Sequence, residues 1–238
     1  MRAGAVVLAT GGCAFLSGAL GTNTDTGDGA LLAAEAGAEL SGMEFSNAYG
    51  IAPEGTSVTK AAFYTFATFY PEDGSVLEGA ASQGGRSAIA RELLTGAKVY
   101  ATLDRAGEQV RAPMRLAQPN FFLTFDRLGI DPFTDRFAVT LLAEGTVRGT
   151  GGIRITADDC STGVPGLYAA GDAATREETC GGFTGGGSHN AAWAISSGRC
   201  AARAVRRSGR SCRGCGPRRS APMPSRPVRA AGRAPRSP

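Results

Sequence analysis

Residues 166–198 read "GLYAAGDAATREETCGGFTGGGSHNAAWAISSG". The stretch opens as a short apolar run, breaks at Gly171-Asp172, passes through glycines and then takes on helical spacing. An apolar run closed by glycine and a carboxylate reads as a buried strand, and "GGGSHNAAWAISSGRCAARAV" at 185–205 reads as a helix entered through glycines. Such an entry leaves several backbone N–H groups unpaired and stabilises negative charge at the helix N-terminus. Asp172, at the strand end, would repel phosphate, but its oxygens accept hydrogen bonds from sugar or polyol hydroxyls. A ligand with a polyol and a ring that turns anionic satisfies both features. So does a plain helix cap beside a solvated carboxylate.

A second unit of this kind opens the chain. "AGAVVLA" at 3–9 reads as a strand covered on both faces, and "TGG" at 10–12 ends it. After "TNTDTGDG" at 22–29, the segment "ALLAAEAGAEL" at 30–40 has helical spacing and closes at Gly42. Two buried strands ending in glycine-rich turns predict an α/β fold with its ligand at the carboxyl ends of the strands.

Residues 44–147 have a different character. "AAFYTFATFY" at 61–70 alternates like a half-buried strand, "RSAIARELLTG" at 86–96 is helical, and "KVYATLD" at 98–104 is again a strand. "NFFLTFDRLGIDPFTDRF" at 120–137 passes from helix to loop. The pattern predicts a sheet domain (1–43 and 148–205) interrupted by a separate domain (44–147), with the cleft between them as the default site.

A chain of 238 residues can bury one or two cores. Its net charge of +4 conceals an uneven distribution, since residues 199–238 hold twelve arginines and no lysine or acid. The remaining thirteen bases face twenty-one acids, so the body carries −8. The Arg/Pro-rich tail at 206–238 lacks apolar periodicity and is expected to be disordered. It reads either as a non-native extension or as an arm for nucleic acid or a membrane surface. Without aromatics it carries little recognition chemistry, so nucleic acid is not an expected partner.

The six cysteines, at 13, 160, 180, 200, 212 and 215, form no disulfide framework, and with His189 as the sole histidine no metal site is expected. The N-terminal residues could pass for a signal peptide, but Thr10-Gly11-Gly12 breaks the run early and a buried strand accounts for them better. No stretch approaches the roughly twenty apolar residues of a membrane span. The expectation is a reduced, cytoplasmic chain.

Among ligands with a polyol and an anionic ring, a reduced flavin fits the local chemistry, its ribityl chain meeting Asp172. The stretches "AVVLATGG…TNTDTGDGALLAAEAGAELSGMEF" and "GGIRI…TGVPGLYAAGDAA" resemble the flavoprotein family of fumarate reductases, succinate dehydrogenases and L-aspartate oxidases. "RSAIARELLTGAKVYATLD" and "LGIDPFTDRFAV" resemble that family's capping domain, so the likeness runs through nearly all of residues 3–203. It implies a partial FAD-binding, Rossmann-like sheet domain interrupted by an α+β capping domain. It implies FAD as cofactor, a small organic substrate under the cap, and an electron donor or acceptor that the sequence does not name. On that likeness Thr10, Gly11, Gly12, Thr26, Gly27, Asp28, Gly29, Gly171, Asp172, Gly187, Ser188, His189 and Asn190 fall on cofactor-contacting positions.

The chain departs from the resemblance in two ways. No GxGxxG phosphate loop occurs anywhere in it, so it looks like an N-terminally truncated member. On that basis it is expected to bind FAD weakly and to leave the edge of "AVVLA" open to pairing. The family's substrate clamp of two histidines and an arginine corresponds here to Tyr49, Val147 and Phe183, which cannot neutralise a dicarboxylate. A larger or uncharged substrate is expected in place of fumarate.

Arg86 falls on the family's proton-delivering arginine, and an ordinary surface contact is its alternative. Arg148 offers a substitute anion contact. His189 is an acid, base or flavin-tuning candidate, with packing as its alternative, and Ala192 and Trp193 read as core. The expected activity is hydride transfer between flavin N5 and an organic substrate. The competing reading is a catalytically incompetent fragment, or a binding module with an adhesive basic tail.

Overall fold

The computed structural model describes residues 3–46, 48–59, 62–183 and 187–211. Strand β1 (Val6–Leu8) runs parallel to β8 (Leu167–Ala169), with Val6 opposite Leu167 and Leu8 opposite Ala169. The parallel pairing brings the two glycine-rich turns to the same end. Helix α1 (Asp28–Glu35) follows the first of them, entered through Gly27 at φ +79°, a left-handed conformation that glycine adopts without steric penalty. Strand β2 (Leu40–Ser41) pairs antiparallel with β7 (Gly152–Ile153).

The intervening region is built on a four-stranded antiparallel sheet. Its strands are β3 (Ala48–Pro53), β4 (Thr68–Tyr70), β5 (Val99–Thr102) and β6 (Phe137–Glu144), in the order β3-β6-β5-β4. Helices α2 (Arg86–Leu94), α3 (Glu108–Ala117) and α4 (Pro119–Leu128) belong to the same region. Proline at the first position of α4 and Gly129 at φ +67° behind it set the helix limits, as the sequence pattern requires. Phe121, Phe122 and Phe125 on α4 are buried against Tyr64, Phe69 and Phe137, and the Phe125 and Phe137 rings lie 4.6 Å apart, edge to face.

The chain then turns through α5 (Gly145–Arg148), returns by β7 and β8, and closes with α6 (Glu177–Cys180) and α7 (Gly187–Ser211). The core here is thin, made largely of alanines: Ala33, Ala38, Ala169, Ala173 and Ala174 around Ile153, and Ala170, Ala201 and Ala204 around Tyr168.

Three local expectations change. β1 is three residues long and exposed, with Val6 at 48% and Val7 at 39%, instead of being covered on both faces. Residues 62–66 form a 3₁₀ helix, leaving only 68–70 as strand. Phe63 and Phe66, three residues apart, both pack on the aromatic core, as do Tyr64 and Ala67, and that spacing is the 3₁₀ period. α7 continues to Ser211, beyond the end at 205 read from the sequence, because its packed face uses small residues: Ala201 and Ala204 are buried, and the Ser208 hydroxyl lies 3.4 Å from that of Tyr168. On the same helix Trp193 is half-buried, but Ala192 is exposed. The tail from 212 onward lies outside the described residues. No helix among them is long and apolar enough to cross a membrane.

Candidate functional site

Leu8 O, at the end of β1, accepts the Ala170 N–H at 2.9 Å, so Thr10-Gly11-Gly12 and Gly171-Asp172 emerge side by side. Gly12 is pressed against the α5 turn: a Cβ there would stand 2.6 Å from Val147 N, and Cys13 N donates to Thr146 Oγ1 at 2.6 Å. Gly29 lies so close to Thr10 that any side chain would overlap Thr10 Oγ1. Thr26 bridges to Cys13, and Gly27 abuts the Cys13 side chain. The seven expected residues of the first group, Thr10 to Gly12 and Thr26 to Gly29, therefore converge around Cys13 and the start of α1. Thr26 and Asp28 are exposed there.

The second group is organised by α7. Ser197 Oγ accepts the Gly171 N–H at 2.9 Å, and Trp193 Nε1 donates to Gly171 O at the same distance. Asn190 Nδ2 donates to Val147 O at 3.1 Å, while its Oδ1 is buried with no hydrogen-bond partner among the described residues. Val147 thus lies between Gly12 and Asn190 and joins the two groups. His189 is exposed, its ring 5.6 Å from that of Phe183 and tilted by 59°. Gly187 begins α7. Thr184 to Gly186 and the Ser188 side chain lie outside the described residues.

Two acid–base pairs, neither recognised as a unit in the sequence, shape the region beside these turns. Glu144 is 1% exposed, accepts from Thr59 Oγ1 at 2.7 Å and pairs with Arg148 Nη1 at 3.1 Å. Arg176 is 2% exposed, pairs with Asp172 Oδ1 at 3.3 Å and also donates to Gly149 O. Both pairs have i,i+4 spacing, "EGTVR" and "DAATR", and that spacing was the available signal.

Arg86, at the start of α2, donates from Nε to Ser82 O at 2.8 Å and from Nη1 to Tyr49 O, tying α2 to β3. Burial, and then the charge of Arg148, hold Arg86 below the ordinary arginine value, while Glu144 acts the other way. Burial likewise lowers Arg176; Asp172 and Cys180 oppose the shift and Arg148 adds to it. Arg148 is thus the electrostatic link between Arg86 and Arg176. The three guanidiniums and two carboxylates leave one net positive charge.

Tyr49 and Phe183, on the expected clamp positions, are exposed, and Val147 is half-buried. A hollow of about 740 Å³ lies elsewhere, between Leu20, Ser57 and the Leu123–Leu128 face of α4, and none of the expected site residues lines it. Among the described residues no group of three or more His, Cys, Asp or Glu could hold a metal ion.

No protein-family model and no curated protein sequence matches this chain. Solved structures do match it. With the FrdA chain of E. coli quinol fumarate reductase the TM-score is 0.68 at 23% identity, over 91% of this chain and 41% of that one. With adenylylsulfate reductase from Archaeoglobus fulgidus it is 0.62 at 18% identity, over 87% and 40%. With the open conformation of a flavocytochrome c3 fumarate reductase it is 0.58 at 16% identity, over 86% and 46%. The chain shares their fold. It spans about two fifths of the length of the first two matched chains.

Proposed function

We propose that this chain belongs to an FAD-dependent oxidoreductase that transfers hydride between flavin and an organic substrate other than fumarate. The observation that carries the proposal is the convergence of the 10–12 turn, Gly171-Asp172 and the first turn of α7 around Val147, with Asn190 Oδ1 left unpaired there. Open backbone at Gly11, a carboxylate at Asp172 and the start of a 25-residue helix match the polyol and electron-poor ring of a flavin. When bound, the flavin would supply the hydride chemistry.

The remaining roles fall to the chain's own residues. The ion pair with Arg176 holds the Asp172 carboxylate at the turn after β8, where it would accept from a polyol hydroxyl. Asn190 Oδ1 offers an acceptor to an N–H group. Arg86, depressed by burial and by Arg148, is the proposed proton donor to substrate. The domain divisions at 43 and 147 are proposed on the same footing, with the last segment carried to the end of α7 at Ser211.

The direct test is a titration of the full chain with FAD, followed by quenching of flavin fluorescence. Because the sequence holds no GxGxxG loop, saturation is expected with a Kd between about 1 μM and 1 mM, or roughly −8 to −4 kcal/mol. Absence of saturable quenching overturns the proposed cofactor, and tighter binding overturns the assigned need for a phosphate loop.

The substrate is excluded on separate grounds. Tyr49, Val147 and Phe183 supply no positive charge, and the single net charge of the arginine cluster cannot neutralise two carboxylates. Reoxidation of the reduced flavoenzyme by fumarate is expected to run well below about 1 per second, a typical turnover. Stopped-flow absorbance checks it, and a rate at or above that value refutes the exclusion.

A further inference from the structure

The thin core under α7 holds two cysteines, and no step proposed above uses them. Cys160 is buried in the turn before β8, and Cys200 packs against the same cluster from α7. Both line a pocket of about 200 Å³ whose wall on α7 is formed by Trp193, Ser196, Ser197 and Cys200. These positions follow the i, i+3, i+4, i+7 rule and so make one face of the helix. The pocket gives a small oxidant a route to a thiol that is otherwise covered.

The backbone at Cys160 is also unusual. Its φ is +62°, a conformation that among the described non-glycine residues only Leu16 shares. A residue with a Cβ enters this region at a penalty of about 1 kcal/mol, and such outliers collect at functional sites. The conformation is fixed from both sides: Cys160 N donates to Ala157 O at 2.9 Å, and Cys160 O accepts from Ala169 N at 3.0 Å.

We propose that Cys160 and Cys200 are a dithiol–disulfide pair, oxidised by a peroxide that enters the pocket between them. In the first step the Cys200 sulfur attacks a peroxide oxygen and the O–O bond breaks. Cys200 becomes a sulfenic acid, and its thiol proton leaves with the departing hydroxide as water. In the second step the Cys160 sulfur attacks the Cys200 sulfur, the S–O bond breaks, and the Cys160 proton leaves with that hydroxide as a second water. Two thiols lose two electrons and two protons, and one peroxide becomes two waters.

The two cysteines have different parts in this sequence. Burial, and then the neighbouring Cys200, Asp159 and Asp158, push the Cys160 thiol up to about 11, so it reacts second. Cys200 is partly exposed and meets the oxidant first. The bond formed would tether the 157–161 turn to α7 one turn beyond Ser197, which holds the Gly171 N–H. Oxidation would therefore fix α7 against the turn that presents Asp172.

Peptide mapping of the full chain tests the pair. Trypsin cuts after Arg154, Arg176, Arg199 and Arg203, placing Cys160 on 155–176 and Cys200 on 200–203, apart from Cys13, Cys180, Cys212 and Cys215. After brief treatment with hydrogen peroxide and alkylation of free thiols under denaturing conditions, a cross-linked 155–176/200–203 species is expected. Its mass should lie about 2 Da below the sum of the free peptides and should revert on reduction. It should persist in Cys13→Ser and disappear in Cys200→Ser. Recovery of Cys160 fully alkylated while Cys200 is oxidised, or a disulfide joining other cysteines in place of this one, overturns the proposal.

Discussion

Replacing Glu144 with alanine is expected to lower the unfolding free energy by about 3–5 kcal/mol, the range for breaking a buried ion pair from one side. The carboxylate is almost wholly enclosed, and it accepts from Thr59 and Arg148. Arg86 lies within its field and within that of Arg148. Without Glu144, two guanidiniums face each other in a poorly solvated space, and Thr59 Oγ1 loses its acceptor. Glu144→Gln keeps the volume and the Thr59 hydrogen bond but not the charge, so it should recover less than half of the loss. The pairing makes a further demand. Glu144→Ala combined with Arg148→Met should be milder than the sum of the single changes, because the second removes the stranded cation. Urea denaturation of the four proteins measures this directly. A single-variant loss below about 1 kcal/mol, the ordinary size for a point change, would show that water replaces the carboxylate.

Arg86→Lys is expected to cut turnover of the flavin-loaded enzyme by about 10²-fold or more while leaving flavin affinity unchanged. The guanidinium is held at two points, Nε on Ser82 O and Nη1 on Tyr49 O, which aim the remaining N–H groups. A lysine carries the charge but has no planar fork, so it cannot hold both carbonyls and present a third donor in a fixed direction. The shift of Arg86 below its ordinary value acts in the direction that favours release of a proton. Steady-state turnover with a flavin titration in parallel separates the two effects. Unchanged turnover would reduce Arg86 to a tie between α2 and β3.

Glycine, proline and aromatic spacing account for what the sequence disclosed. The two strand–turn–helix units were legible because Gly11, Gly27 and Gly171 punctuate them, and their positive φ values show why glycine stands there. α4 was legible from Pro119, the phenylalanine spacing and Gly129. Periodicity failed where two periods compete. Aromatic residues at 63, 64 and 66 fit alternation and a threefold turn equally well on paper, and only the position of the core decides between them. The length of α7 was missed because alanine and serine make its packed face, and a scale that looks for large apolar residues stops at Val205. Exposure of β1 was missed for a related reason. An apolar run states that a strand could be covered, and says nothing of whether a neighbour is present to cover it. Of the residues gathered at these turns, the glycines and Asp172 were singled out from the sequence, whereas Arg176 and Glu144 were not. A buried ion pair announces itself only when both members are read together at their spacing, and each alone passes for an ordinary surface charge.

The contrast between the two cores has a kinetic consequence. Rings from Tyr64, Phe69, Phe121, Phe122 and Phe125 are locked in one half, while the half that carries Asp172 and the start of α7 is closed mainly by methyl groups. Local opening free energies follow buried apolar area, so the two halves do not breathe together. Amide protons of β1, β8 and the 170–176 turn are set to exchange through partial openings that leave the aromatic half protected. A ligand that bridges the 10–12 turn, Gly171 and α7 would suppress those openings, and its binding would be felt as ordering of one half more than as a change of shape in the whole.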